Sequence, residues 1–297
     1  MSMRVRKVSP GDLAAAVREA WADPCRRPYV EGGVAYVPVR DGWPADLDLP
    51  ERQPYRGRPF QMIGDTAVLH GARPTPAEVE EILAWRRPAC VLYLRTIDGV
   101  KRLPGVEVLH GEPHPVRNHE NGLCYWLNPA EVMFAQGNLE ERARMGRAVR
   151  PGERVADMFA GIGYFTLPMA AAGASVHALE INPVSFGYLR RNVEENGLDG
   201  RVGPECGDCR DLLFGTYDRI VMGHFEAPSF LPDALAHAGP GTVLHLHALG
   251  DAGAAIDTAT AAAGFSASVA TRKVKKYGPH IWHVVHDVVL DERRTKA

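Results

Sequence analysis

One stretch restricts this chain more than any other: Val155-Ala156-Asp157-Met158-Phe159-Ala160-Gly161-Ile162-Gly163-Tyr164-Phe165-Thr166-Leu167-Pro168. An apolar approach runs into an acidic residue, then a small-residue turn with two glycines, then a segment of helical periodicity. Strand, tight turn and helix in that order make a ligand cradle. Glycine leaves room for a ligand against the main chain, and the helix start presents free N–H groups.

The segment beyond Pro151 fixes the fold class. Strands are expected at Arg154 to Met158, Ser175 to Glu180, near Arg201 to Cys206, at Tyr217 to Gly223 and at Thr242 to His247. Helices are expected at Tyr164 to Ala172, Pro183 to Asn196 and Ser229 to Ala238. Such alternation means a parallel sheet covered on both faces. A helix around Ala252 to Ala263, a basic strand Thr271 to Lys276 and the apolar Ile281 to Leu290 would add antiparallel strands at one edge.

Upstream the texture differs, and four parts are expected. Residues 1-58 read as an irregular element with a helix at Pro10 to Ala22 and a strand at Val34 to Val39. Residues 59-128 read as a small α+β domain, with strand Met62 to Leu69, a helix from Pro76 opened by Thr75, and strand Cys90 to Arg95. A strand pair, Val106 to His110 and Leu123 to Leu127, would bracket the Asn121-Gly122 turn. Residues 129-150 hold a connecting helix with Glu140 and Glu141 early and Arg142, Arg144 and Arg147 late, which suits the helix dipole. Residues 151-297 form the Rossmann-like part.

Composition narrows the setting. A formal net charge of -2 over 297 residues gives no chain-wide attraction to polyanions, so a nucleic-acid surface must be local. No apolar run approaches the roughly 18 to 20 residues of a membrane span, and Met1 to Lys7 has no apolar core behind its charges. A cytoplasmic location is the expectation. Five scattered cysteines argue for reduced thiols. Cys206-Gly207-Asp208-Cys209 lacks the second pair a zinc site needs, and no metal is expected; His245, His247, His283 and His286 read as packed histidines. The run Arg272, Lys273, Lys275, Lys276 reads as a solvated face or, on an RNA enzyme, a phosphate contact.

Three acids fall at carboxyl ends of parallel strands, where ligands bind such sheets. Asp157 ends the first, Glu180 the second, and Asp208 comes just after the third. Glu180 is placed to accept ribose hydroxyls and Asp208 an adenine amino proton. A dinucleotide fingerprint would need a third glycine where Thr166 stands, and a pyrophosphate would be repelled by Asp157. S-adenosylmethionine, with an ammonium, a sulfonium and no phosphate, fits better.

Asp157 to Phe165, Glu180-Ile181-Asn182-Pro183, Gly207-Asp208-Cys209-Arg210-Asp211 and Asp218 to His224 resemble, in order and spacing, the tRNA-modifying family that contains the guanosine N1-methyltransferases and the wybutosine-pathway aminocarboxypropyltransferases. The resemblance extends through Ile63-Gly64-Asp65, His119-Glu120-Asn121-Gly122, Met133 to Asn138 with Glu141-Arg142, and Tyr277 to Val285, covering roughly residues 60 to 290. It implies a class I S-adenosylmethionine-dependent methyltransferase fold with a tRNA-orienting domain at 59-128. The methyltransferases carry an Asn-Pro-Pro-Tyr type motif where this chain has Met222-Gly223-His224-Phe225, and tend to have Pro-Arg where Gly137-Asn138 stands. Both departures resemble the aminocarboxypropyltransferase branch. The implied reaction moves the 3-amino-3-carboxypropyl group of S-adenosylmethionine onto a wyosine-type base (4-demethylwyosine) at position 37 of tRNA-Phe, in the anticodon loop, with methylthioadenosine released; the alternatives are N1-methylation of guanosine 37 on the same scaffold and a tRNA-binding module without turnover. The resemblance implies cofactor contacts at Ala135, Arg142, Asp157, Phe159, Ala160, Gly161, Gly163, Glu180, Asp208, Cys209 and Gly223, with Glu141 and Arg142 as the catalytic candidates. Ala135 and Cys209 stand where the branch commonly has serine and asparagine. A guanidinium at Arg142 would grip the cofactor carboxylate and so choose which sulfonium carbon faces the acceptor.

Overall fold

A computed structural model describes residues 2–50, 55–134 and 136–293. The chain divides into two compact units, Met1–Gly57 and Arg58–Ala297.

The first unit is built on a four-stranded antiparallel sheet in the order Tyr29–Glu31, Val34–Pro38, Ser2–Val8, Leu47–Pro50. Gly32 and Gly33, both at positive φ, close the tight hairpin between its first two strands. The helix expected from Pro10 to Ala22 is only a 3-10 turn and then Leu13–Ala16. It stops because Asp23 donates its amide to the Pro38 carbonyl and Arg40 donates to Trp21, which ties residues 21–23 to the sheet.

The second unit opens with a four-stranded sheet ordered Gln61–Ile63, Thr66–Leu69, Cys90–Asp98, Leu103–His110. Helix Pro76–Arg86, with a reciprocal Thr75–Glu78 capping box, carries the chain between the two parallel strands. The Asn121-Gly122 turn forms, but Leu123–Leu127 pairs with Val116–Glu120 rather than with Val106 to His110. A two-residue turn demands a partner immediately before it, and the segment Arg117-Asn118-His119 is too polar to announce a strand.

The remaining elements form a seven-stranded sheet. Its strands are β1 (Arg154–Asp157), β2 (Ser175–Glu180), β3 (Val202–Cys206), β4 (Tyr217–Met222), β5 (Ala238–Leu249), β6 (Phe265–Gly278) and β7 (Ile281–Arg293). Their order is β3-β2-β1-β4-β5-β7-β6. β1 through β5 run parallel and β7 is inserted antiparallel between β5 and β6. The order reverses between β1 and β4, which opens a crevice at their carboxyl ends. Helix α1 (Leu139–Ala148) leads into β1, α2 (Thr166–Ala171) joins β1 to β2, and α3 (Pro183–Glu195) joins β2 to β3.

Two arrangements hold this crevice in place. Asn192 and Asn196, at the end of α3, act as a substitute strand: their amide oxygens accept from the Trp126 and Cys124 N–H groups, and their amide nitrogens donate to the same residues' carbonyls. Asn192 also donates to the Ile162 carbonyl in the glycine turn, at 2.9 Å. On the opposite side a buried chain of ion pairs and hydrogen bonds fastens α1 to the sheet. It runs from Glu153 to Arg219, through His245 to Asp287, and on to Arg144 and Glu141.

Candidate active site

A cavity of about 630 Å³ opens at the carboxyl ends of β1, β2 and β4. The first part of its wall is the glycine turn. Gly161 lies at φ +58° and Gly163 at φ +101°. A Cβ at Gly163 would sit 2.9 Å from Leu167 Cγ, so the turn can only be this tight without one.

Glu180 ties that turn to the end of β2. Its Oε2 accepts from Gly161 N and its Oε1 from Asn182 N, each at 2.7 Å. Burial pushes its carboxyl upward in pKa, against the lowering effect of the two amides. Each oxygen keeps a lone pair for a vicinal diol in the cavity. Asp208 caps the short helix Cys209–Leu212, and Arg210 donates to both of its oxygens. The hydrogen bond from Arg210 holds Asp208 below the usual carboxylate range.

Of the residues singled out in the sequence, Phe159, Gly161, Glu180, Asp208, Cys209 and Gly223 line this cavity. Gly223 is required by contact: a Cβ there would lie 2.8 Å from the Phe165 ring. Cys209 is buried, and its thiol is pushed up to about 12, chiefly by burial and then by the charge of Asp208.

Other candidates lie outside the wall. Asp157 is fully buried under the turn, where Thr166 donates to its Oδ2 at 2.7 Å, and burial raises its pKa to about 6. Its Oδ1 is buried with no hydrogen-bond partner among the described residues. Ala160 and Gly163 are structural members of the same turn, Ala160 N donating to the Leu179 carbonyl. Arg142 is 2% exposed, pairs with Glu120, and packs over the rings of Tyr164 and Phe134. Glu141 is equally buried and receives Arg144 on both oxygens. Ala135 lies outside the described residues.

The cavity also contains groups that sequence reasoning did not assign to a ligand. His224 stacks on Phe159 with centroids 5.3 Å apart. His247 Nδ1 and His283 Nε2 share a hydrogen bond of 2.9 Å. Nε2 of His224, Nε2 of His247 and Nδ1 of His283 are buried with no hydrogen-bond partner among the described residues. Burial lowers all three histidines, His283 to about 4, so near neutral pH these rings are uncharged. Among the described residues no group of three or more His, Cys, Asp or Glu side chains could hold a metal ion.

The strand order, the acid at the end of β2 and the glycine turn at the switch point define a class I S-adenosylmethionine-dependent transferase. Residues 116–274 match the TRM5/TYW2 methyltransferase domain. A tRNA(Phe) (4-demethylwyosine(37)-C(7)) aminocarboxypropyltransferase of Methanocaldococcus jannaschii is 34% identical over 250 residues, which is 79% of this chain and 99% of that protein. The chain belongs to the TRM5/TYW2 family. The protein of the same name from Pyrococcus horikoshii is 35% identical over 67% of this chain and 75% of its own length. Among solved structures, M. jannaschii TYW2 in complex with AdoMet superposes with a TM-score of 0.65 at 29% identity, over 79% of this chain and all of that one. Pyrococcus abyssi Trm5b superposes with 0.72 at 25% identity, over 97% of this chain and 99% of that one.

Proposed function

We propose that this chain transfers the 3-amino-3-carboxypropyl group of S-adenosylmethionine to the C7 ring carbon of a 4-demethylwyosine base at position 37 of tRNA-Phe, with methylthioadenosine released. The observation that carries this reading is the likeness to the M. jannaschii aminocarboxypropyltransferase over 99% of that protein, joined to a β4 end that reads Met222-Gly223-His224.

The residues present fit the co-substrate. Glu180 accepts the ribose hydroxyls, Asp208 faces the adenine amino group, and Ile162 and Ile181 supply apolar wall between them. Bound S-adenosylmethionine supplies a sulfonium with three activated carbons, so positioning decides which is attacked. The stacked pair Phe159–His224 offers the acceptor base a ring face. The partnerless ring nitrogens of His224 and His247, uncharged at neutral pH, can meet its polar edges. The C7 proton must leave once the carbon bond has formed, and neutral imidazole in the wall is chemically able to take it. Glu141 and Arg142 then act through position: Arg142 clamps the Glu120 hairpin and Glu141 anchors α1.

Residues 59–128 and the basic strand β6 orient the tRNA, and the enzyme works in the cytoplasm. Among the described residues no helix is long and apolar enough to cross a membrane. A second reading, N1-methylation of guanosine 37, is favoured by one observation: the likeness to Trm5b reaches over 97% of this chain, whereas that to M. jannaschii TYW2 covers 79%. Incubation with precursor tRNA and S-adenosylmethionine labelled separately in the methyl and carboxyl groups decides between them. Carboxyl label in RNA is the expected result; methyl label would establish the second reading, and no label in either arm would refute both.

A further inference from the structure

We propose that Lys275 binds the α-carboxylate of the S-adenosylmethionine aminocarboxypropyl arm, and that position 137 is glycine to let the lysine reach it. This rests on S-adenosylmethionine as the co-substrate and assigns a residue that decides how its transferable arm is held.

Lys275 lies on β6, in the basic run that sequence alone would place on a solvated face. Its neighbours do behave that way. Arg272, Lys273 and Lys276 are exposed, and Lys273 sits over the Trp282 ring at 5.0 Å. Between Lys273 and Lys275 the pairing of β6 with β7 shifts register. A bulge of this kind breaks the strict alternation of side chains and re-aims one of them. The residue re-aimed here is Lys275, which lines the cavity opposite His283, its partner across the ladder.

Gly137 marks the route of the side chain. A Cβ built there would lie 2.9 Å from Lys275 Nζ and 3.0 Å from its Cδ. The Gly137 backbone is not left-handed. A side chain here would meet the lysine, and the lysine would have to move aside to admit it.

The ammonium that arrives in the cavity has no ion-pair or hydrogen-bond partner among the described residues. Two of the other cations in or behind the wall are paired with carboxylates, Arg210 with Asp208 and Arg142 with Glu120, while Arg102 donates only to the neutral Met133 sulfur and Lys101 is exposed at the rim. A half-buried ammonium without an anion is costly. Burial first, and the nearby Arg142 charge second, lower its pKa. An arriving carboxylate opposes both effects by supplying a negative charge beside the ammonium. Glu180 fixes the nucleoside end of the same cavity, so a cation at another part of the wall can hold the amino-acid end. The carboxylate departs with the transferred group, which predicts that Lys275 contributes nothing to binding of methylthioadenosine.

The test is calorimetry on the full chain without RNA, titrating S-adenosylmethionine, decarboxylated S-adenosylmethionine and methylthioadenosine. A charge-assisted contact predicts that the wild type prefers the carboxylated ligand by about 10- to 100-fold. In Lys275→Met and in Gly137→Ala, which keeps the lysine but displaces it, that ratio falls toward unity while methylthioadenosine affinity stays within about twofold of wild type. A Lys275→Met protein that retains the preference overturns the proposal and leaves the ammonium to an RNA phosphate. Equal weakening of all three ligands also overturns it, because the lysine would then be structural. The labelled-tRNA assay on the wild type reads the transferred group independently, so failure of the proposed reaction and failure of the Lys275 assignment are told apart.

Discussion

Replacing Asp287 with asparagine interrupts the ion-pair chain that fastens α1 to the sheet. Asp287 receives Arg144 through two hydrogen bonds of 2.9 and 3.0 Å and His245 Nδ1 on Oδ1. Its side chain is 16% exposed and that of Arg144 17%. Arg144 keeps its hydrogen bonds to Glu141, so losing the Asp287 charge costs less than stranding a buried ion outright, about 2 kcal/mol. For a unit of this size that is a fall in Tm of roughly 4–8 °C. The effect must also depend on pH in a defined direction. Burial alone would raise the Asp287 carboxyl, but the hydrogen bond and charge of His245, with Arg144, bring it from 3.8 down to about 2. A carboxylate whose folded pKa is depressed adds stability above its unfolded pKa and loses it as pH falls from about 4 to 2. At about 1.4 kcal/mol per pKa unit this contribution is roughly 2 kcal/mol, of which about 1 kcal/mol is gone by pH 3. Scanning calorimetry of wild type and Asp287→Asn between pH 7 and pH 3, tracking the transition of residues 58–297, is the measurement. The gap in Tm is expected to be widest at pH 7 and to narrow toward pH 3. A gap under about 2 °C at pH 7, or one that does not change with pH, would refute the reasoning.

Glu180→Ala should weaken S-adenosylmethionine and methylthioadenosine in parallel, by about 10- to 100-fold in calorimetry, because both carry the same ribose; loss of only one affinity would contradict the diol role. Gly163→Ala should lower stability by about 1–3 kcal/mol, read as a drop in Tm, since the residue combines φ +101° with a Cβ 2.9 Å from Leu167. Double reversal, Arg272→Glu with Lys276→Glu, should weaken tRNA binding and flatten its salt dependence by about 0.7–0.9 in logarithmic slope per lost contact. An unchanged slope would remove β6 from the RNA interface. Iodoacetamide at pH 8 should label the exposed Cys25 and Cys206 and spare Cys209, whose buried thiol is held near 12.

The parts of this molecule that could be read in advance are those whose chemistry is local. β2 is found over Ser175–Glu180 as its apolar run predicts, and Glu180 reaches Gly161 because one closes β2 and the other lies in the turn that follows the adjacent parallel strand β1. Asp157 shows the limit of that argument: the strand end is legible, but its carboxylate lies under the turn and against Thr166. The Arg142–Glu120 pair joins a helix to a hairpin, and no spacing rule connects them. The placement of His247, His283 and Lys275 escapes sequence reasoning for a related cause. Their shared cavity depends on the antiparallel register of β5, β7 and β6 and on a bulge between Lys273 and Lys275, neither of which leaves a periodic trace. Asn192 and Asn196 look like the fraying end of a helix and instead serve as hydrogen-bonding partners for Leu123–Leu127.

The insertion of β7 between β5 and β6 has a consequence for how the protein is made. The side of the cavity that carries Glu180 and Asp208 is encoded between residues 158 and 210, while the wall carrying Lys275 and His283 comes from the hairpin of β6 and β7. At roughly 5–20 residues per second, several seconds of translation separate the two. During that interval β5 is an open edge strand with buried-type residues such as Leu244 and Leu246, the kind of edge that chaperones cover. A nascent chain therefore carries the Glu180 and Asp208 side of the cavity before it carries the Lys275 and His283 side.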